Sequence, residues 1–264
     1  APWIPSGAPP VGETGGDADR TAGCIPRPSM SHMTDAETLK RNAAAEALLR
    51  VESGMRLGLG TGSTVAHFLD LLGEALADGR VSDLIGVATS ERTAEHAARL
   101  KIPVRDLAEV GRLDLAVDGA DEVDPALDLV KGLGGALLRE KMVVQAADRF
   151  VVIVDEAKEV QLLGTRAPLP VEVVPFAWDA HLPVMRDLGG DPVLRGGPDD
   201  PYRTDNGNYV IDLGFPEGIA DPASLDATLQ RRAGIVETGL FLSVADEVLV
   251  AAEQGTTSRT RSAT

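Results

Sequence analysis

Residues 113–141 read LDLAVDGADEVDPALDLVKGLGGALLREK. The apolar run 113–117 has strand character, and the turn residues Asp118, Gly119, Ala120 and Asp121, followed by Glu122, break it. Asp118 is thereby predicted at the carboxyl end of a strand, where ligands gather in open α/β sheets. A second apolar piece, 127–130, leads to Lys131 and the turn Gly132-Leu133-Gly134-Gly135, after which residues 136–148 read as a helix. The glycines let backbone N–H groups approach an anion closely, and the helix start adds partial positive charge. Glu140 falls near the first turns of that helix, between Arg139 and Lys141. A lone glutamate so placed is ordinarily a solvated partner in helix ion pairs. Here it shares a short run with two strand-tip aspartates and a lysine, a set that suffices for proton transfer on a small anionic substrate.

Working outward, residues 34–51 start with Thr34 as N-cap and Glu37 three residues on, a capping box ahead of an alanine- and leucine-rich helix. A strand over 55–59, the turn Gly60-Thr61-Gly62-Ser63-Thr64 and a helix over 65–77 form a strand, glycine loop and helix unit suited to phosphate. No Gly-Lys-Ser/Thr follows, so this is not a Walker loop, and Ser63 stands where a dinucleotide fingerprint needs its third glycine. Strand 83–89, helix 90–100, a short strand over 102–107 and strand 149–154, with Lys158 just beyond its tip, continue an alternation that points to a parallel sheet with crossover helices. Beyond residue 167 the texture changes: a β-like 169–178, a helix 181–190, two strands around an Asn206-Gly207 hairpin signal, a helix 221–234 capped by Asp221, and closing strands 235–241 and 247–252.

The 264 residues carry a net charge of −16, which argues against a nucleic-acid backbone or an anionic membrane as partner. No apolar run reaches membrane-spanning length, and the single Cys24 excludes an intrachain disulfide or a multi-cysteine metal centre. His32, His67, His96 and His181 show no metal-ligand spacing. Residues 1–33 are rich in Pro, Gly, Asp and Ser and are expected to be a disordered N-terminal extension, with Met30 and Met33 as candidate starts at its edge. Residues 256–264 are expected to be a frayed polar tail.

The pairing of DGADE (118–122) with KGLGGALLREK (131–141) resembles the signature of type A ribose-5-phosphate isomerase. GLGTGSTVAHF (58–68), ATSERT (88–93), LPVEVVPFA (169–177), TDNGNYVIDL (204–213) and AGIVETGLF (233–241) match in the same order, so the resemblance covers roughly residues 34–250. It implies an α/β fold, with a Rossmann-like parallel-sheet main domain (34–166 and 238–255) and a smaller α+β, ferredoxin-like second domain (167–237). It implies a cytoplasmic aldose-ketose isomerase of the non-oxidative pentose phosphate pathway, needing no metal or other cofactor. The chain would be a homodimer or homotetramer whose partner is a small sugar phosphate, with no nucleic acid and no membrane. By position, Glu140 would be the base. Asp118 and Asp121 would hold sugar hydroxyls, and Lys131 with the turn amides would hold the oxyanion. Substrate would lie against Thr61, Gly62, Ser63, Thr64, Gly119, Ala120, Gly132, Leu133, Gly134 and Lys158, and Lys40 would reach the phosphate. Leu133 and Leu138 depart from the small residue and the threonine frequent in the family. A non-enzymatic sugar-phosphate-sensing domain of the same fold is the alternative, and a deaminase or acyl-carrier transferase of related architecture a further one. Retention of Glu140 and an N-terminal stretch that is neither basic nor helix-turn-helix count against the sensor.

Overall fold

The computed structural model describes residues 30–261. In chain order, helix α1 (Met30–Leu48) leads to strand β1 (Arg56–Leu59), α2 (Ser63–Ala77), β2 (Ile85–Ala88), α3 (Glu91–Arg99) and the short α4 (Leu107–Val110). The central run becomes β3 (Leu115–Asp118), β4 (Glu122–Val123), β5 (Leu129–Val130) and α5 (Leu137–Gln145), which feeds β6 (Phe150–Asp155). Then come β7 (Leu169–Val173), α6 (Leu182–Asp187), β8 (Asp191–Leu194), β9 (Tyr209–Gly214), α7 (Pro222–Gln230) and β10 (Ile235–Thr238). The last elements are β11 (Leu240–Phe241), β12 (Glu247–Ala252) and β13 (Gly255–Thr260).

The main sheet runs β13-β12-β6-β3-β1-β2, parallel from β12 to β2, with β13 antiparallel at the edge. Leu57, Leu59, Leu115, Val117, Val151 and Ile153 share one core with Phe68 and Leu72 of α2 and with Ala43, Ala44 and Ala47 of α1. Ala116, Phe150, Val152 and Val154 share another with Val143 and Val144 of α5. Because both faces are covered, these strands are apolar throughout instead of alternating. Register places Leu59 opposite Val117 and Asp118 opposite Val152, so β1, β3 and β6 deliver their carboxyl ends side by side.

The second sheet is antiparallel, in the order β10-β7-β9-β8, and its strands and helices follow a βαββαβ path, which is the ferredoxin-like arrangement. Its core gathers Leu169, Val171 and Val173 of β7 with Ile211, Leu213, Met185 and Leu225. A small sheet, β11-β5-β4, joins the two units next to the glycine turn.

Several local expectations are corrected. Helix α1 begins at Met30, so Thr34 lies within it, and Glu37 pairs with Lys40 at 2.7 Å and with His67 at 2.9 Å. The proposed extension over 1–33 thus gives way to helix from residue 30, and residues 1–29 lie outside the described residues. The frayed tail is also revised: Gly255–Thr260 pairs with β12 along its whole length. A polar stretch suits this place, since an edge strand has neighbours on one side only and charged side chains keep it from further pairing. Of the short strand expected over 102–107, one isolated bridge between Gly86 and Val104 forms. Asn206 and Gly207 do turn, with Gly207 N–H donating to Thr204 O at 2.8 Å, but within the long connection from β8 to β9 and not as a tight hairpin.

Candidate active site

At the end of β3, Asp118 is 2% exposed, and its Oδ1 accepts from the N–H of Thr61 at 3.0 Å and of Gly119 at 2.8 Å. This carboxylate ties the β1 loop to the β3 tip. The approach demands glycine at residue 60, where a Cβ would meet the Asp118 carboxyl at 2.2 Å. Asp118 Oδ2 lies 3.0 Å from the Nζ of Lys131, and Glu140 Oε2 lies 3.3 Å from the same ammonium. Lys131 also donates to Gly119 O at 2.6 Å and lies over the Phe241 ring at 5.3 Å from its centroid.

Glu140 stands in the first turn of α5, and that turn packs inward, leaving the residue 3% exposed. Burial, reinforced by the nearby Asp118 charge and opposed by Lys131, pushes its carboxyl up to about 8. Burial also raises Asp118. It works against the charge on Lys131 as well, but Asp118 and Glu140 outweigh it and hold that ammonium above its usual range. One firmly charged lysine therefore sits between two carboxyls that resist ionising together.

Above this floor lies a cavity of about 110 Å³ lined by Glu140, Lys131, Asp121, Gly132, Gly134, Lys158 and the 61–65 loop among others. Gly119, Ala120, Gly62, Ser63 and Thr64 also border it. Thr61 Oγ1 is engaged with the hydroxyls of Thr89 at 2.8 Å, Ser90 at 2.8 Å and Thr93 at 3.1 Å. Its N–H is held by Asp118, so Thr61 anchors the loop from below. Gly62, at φ 137°, caps α2 without a side-chain bond, which leaves the first amides of that helix for an anion. Asp121 Oδ2 accepts from Leu133 N–H at 2.9 Å.

Three of the residues expected at the site stand apart from the cavity lining. Asp118 is buried beneath it. Leu133 has its side chain 42% exposed outside it, so the extra bulk in the turn does not narrow the cavity. Lys40 is salt-bridged to Glu37 on α1 and is not among the lining residues. Sequence reading missed the hydroxyl cluster of Thr89, Ser90 and Thr93, although the ATSERT run carries all three. It also missed Arg195 and Tyr202, which reach the glycine turn from the second unit, where no spacing in the chain connects them to residue 132. Glu122, the last residue of DGADE, accepts the N–H groups of Gly164, Arg166 and Ala167 and so fixes the strand entering the second unit.

Comparison with known proteins agrees with this geometry. The family model of ribose 5-phosphate isomerase A (phosphoriboisomerase A) matches residues 85–255. The ribose-5-phosphate isomerase A of Thermomicrobium roseum is 52% identical over 221 residues, covering 83% of this chain and 92% of that protein. That of Pyrococcus horikoshii is 44% identical, covering 84% of this chain and 97% of that protein. A D-ribose-5-phosphate isomerase solved in complex with phospho-erythronic acid superposes with a TM-score of 0.82 at 43% identity, over 86% of this chain and 99% of that one. The Plasmodium falciparum ribose 5-phosphate isomerase superposes with the same TM-score of 0.82 at 30% identity, over 86% of this chain and all, 100%, of that one. A signature read in order along the chain, a matching two-unit fold and near full-length similarity converge, and the chain belongs to the ribose 5-phosphate isomerase A family.

Proposed function

We propose that the chain interconverts D-ribose 5-phosphate and D-ribulose 5-phosphate through a cis-enediolate, with Glu140 as the base that shuttles the proton. The observation that carries this reading is a carboxyl raised to about 8, buried at the floor of a cavity whose wall is an uncapped helix start. In the aldose-to-ketose direction, ionised Glu140 takes the C2 proton and the C1 carbonyl oxygen takes up negative charge. A proton passes from O2 to O1, and Glu140 returns its proton to C1, leaving the carbonyl at C2. Raised basicity brings the carboxylate closer to the carbon acid it must deprotonate.

Lys131 has its hydrogens directed at Gly119 O, Asp118 and Glu140, so its part is a fixed positive charge beneath the enediolate. Asp121 keeps one carboxyl oxygen for a sugar hydroxyl. Ser63, Thr64 and the first α2 amides take the phosphate, with Lys158 adding charge, and Lys40 joins only by exchanging Glu37 for that phosphate. Asp118 supports ring opening and hydroxyl binding through the loop and the lysine that it holds. The relative solved with phospho-erythronic acid, a phosphorylated sugar acid, supports this substrate class. We further propose a homodimer or homotetramer acting in the cytoplasm within the non-oxidative pentose phosphate pathway. Phe176, at 88% exposure, is a candidate for burial between subunits, and sedimentation at working concentration tests the assembly.

The test of function is direct: ketose formation from ribose 5-phosphate in deuterated water, followed together with label at C1. Turnover with label appearing at C1 supports the reading. A chain that binds the sugar phosphate without turning it over would be the sensor instead.

A further inference from the structure

The turn that follows Lys131 is gripped from outside by the second unit. Arg195, just after β8, donates from its Nη1 to Gly132 O at 3.3 Å and to Leu133 O at 3.1 Å. Its Nε and Nη2 form a two-pronged bond to Asp212 of β9, the Nε contact at 2.9 Å. The guanidinium also lies over the Tyr202 ring, 5.5 Å from its centroid, while Tyr202 Oη donates to Gly134 O at 3.5 Å. Tyr202 packs so closely on the turn that a Cβ at Gly135 would meet its hydroxyl at 2.1 Å. Every carbonyl of 132–134 is thus held by one of two side chains from the second unit.

The amides tell the other half. Leu133 N–H goes to Asp121 and Gly135 N–H to Gly132 O at 2.9 Å, whereas Gly132 and Gly134, both on the cavity wall, have N–H groups with no acceptor among the described residues. In a trans peptide the carbonyl and the N–H point to opposite sides. Fixing Leu133 O toward Arg195 therefore fixes the Gly134 N–H away from it. Glycine at 134 has no side chain to oppose a peptide flip, and a flipped peptide would present a carbonyl dipole to a developing anion.

We propose that Arg195 is a positioning residue for the isomerisation: by holding the Gly132 and Leu133 carbonyls it keeps the Gly134 N–H turned into the cavity as a donor to the enediolate oxygen. The proposal rests on the isomerase reading above. Asp212 takes up most of the guanidinium charge, so Arg195 acts through orientation and not through its own field at the substrate. Lysine cannot replace it, since one ammonium lacks the planar fork that reaches Asp212 and two carbonyls at once.

Steady-state kinetics on the full chain, its Arg195→Ala variant and its Arg195→Lys variant test this, together with calorimetric binding of phospho-erythronic acid and of inorganic phosphate. Loss of one oxyanion donor lowers kcat by about a hundredfold to a thousandfold, and a peptide that still samples the right orientation retains part of that, so about tenfold to a thousandfold is expected for Arg195→Ala. KM should stay within about threefold, because the phosphate is bound at α2. Phospho-erythronic acid, whose carboxylate would meet the oxyanion donors once its phosphate is held at α2, should bind more weakly while inorganic phosphate binds as before. Millimolar guanidinium should restore part of kcat to Arg195→Ala. Arg195→Lys keeps charge and most of the volume, so it folds even where the alanine variant does not, and it should still lose about tenfold or more in kcat. A folded Arg195→Ala or Arg195→Lys within twofold of wild-type kcat overturns the proposal. So does a loss that guanidinium leaves unrestored and that weakens phosphate binding equally, since that is general damage to the fold. A wild-type chain without turnover sinks the isomerase reading instead, and binding of phospho-erythronic acid then decides the role of Arg195 alone.

Discussion

At the scale of the residue, Glu140 as the proposed base faces two opposing demands: it would have to lose its proton to act, and hold a proton tightly to take one from carbon. Burial, with Asp118 close by, sets the compromise by pushing the carboxyl up to about 8. For the free enzyme, kcat/KM is accordingly expected to rise about tenfold per pH unit below that value and to level off above it. A flat profile from pH 6 to 9 would remove Glu140 as the titrating base. Glu140→Gln should cut kcat by about a hundredfold to ten-thousandfold with KM nearly unchanged. Because Glu140 is 3% exposed, this exchange is not the neutral surface change that its place in a polar helix sequence suggests. A carboxyl raised from 4.5 to about 8 in the fold stabilises it fully below the lower value, and that contribution is lost as pH rises through the higher one. The glutamine variant should therefore gain on wild type in melting temperature between pH 6 and pH 9. Thermal melts at both pH values check this, and an equal offset at each would contradict the raised carboxyl.

At the scale of the element, the loop between β1 and α2, proposed to take the phosphate, is a short glycine-rich turn held in one place. Thr61 Oγ1 joins three other hydroxyls and its N–H goes to Asp118, so the loop is pinned before the helix begins. Thr61→Val keeps the shape but removes the hydroxyl that Thr89, Ser90 and Thr93 share, leaving Thr89 its bond to Leu59 O, Ser90 and Thr93 their bond to each other, and Thr93 its bond to Gly60 O. It is expected to cost about 0.5–1.5 kcal/mol in stability, read by urea unfolding, and to raise KM as the loop loosens. A variant of unchanged stability would mean that the cluster accommodates the loss, and the anchoring role would fall. Lys158 lines the same cavity. Since phosphate contacts persist from ground state to transition state, Lys158→Ala should raise KM and leave kcat largely intact. An unchanged KM would detach Lys158 from the substrate. The glycine loop and the strand-tip aspartate were both legible in the chain, because turn residues interrupting apolar runs carry a local conformational reason. Which atoms of Thr61 remain free was not, since that depends on hydroxyls about thirty residues away.

At the scale of the molecule, legibility follows the range of the interactions. The parallel core could be read because strands covered on both faces must be apolar throughout; the second unit showed in the chain as a change of texture compatible with a small α+β domain, and its ferredoxin-like form came from the family resemblance. Strand β13 could not, as a polar edge strand has the composition of a loose tail. The hold of Arg195 on a turn more than sixty residues away left no pattern in the chain either. The same kind of long-range tie closes the main sheet. Glu247, at the start of β12 and 3% exposed, accepts from Arg50 beyond α1 at 2.7 Å, from Arg149 ahead of β6, and from Ser258 of β13 at 2.6 Å. Burial raises this carboxyl, but the bonds from Arg50 and Ser258 outweigh it and hold it below its usual value. A lowered carboxyl contributes stability above its unfolded value and loses it as pH falls through the folded one. Glu247→Gln removes the charge that two guanidinium groups share. With Arg149 half exposed, the loss at pH 7 is expected to be about 2 kcal/mol, at the scale of one charged hydrogen bond instead of a fully buried pair. In urea unfolding the gap between variant and wild type should narrow steadily as pH falls below 4.5. A gap that persists undiminished in acid would show that shape and not charge holds the carboxyl end of the chain onto the sheet.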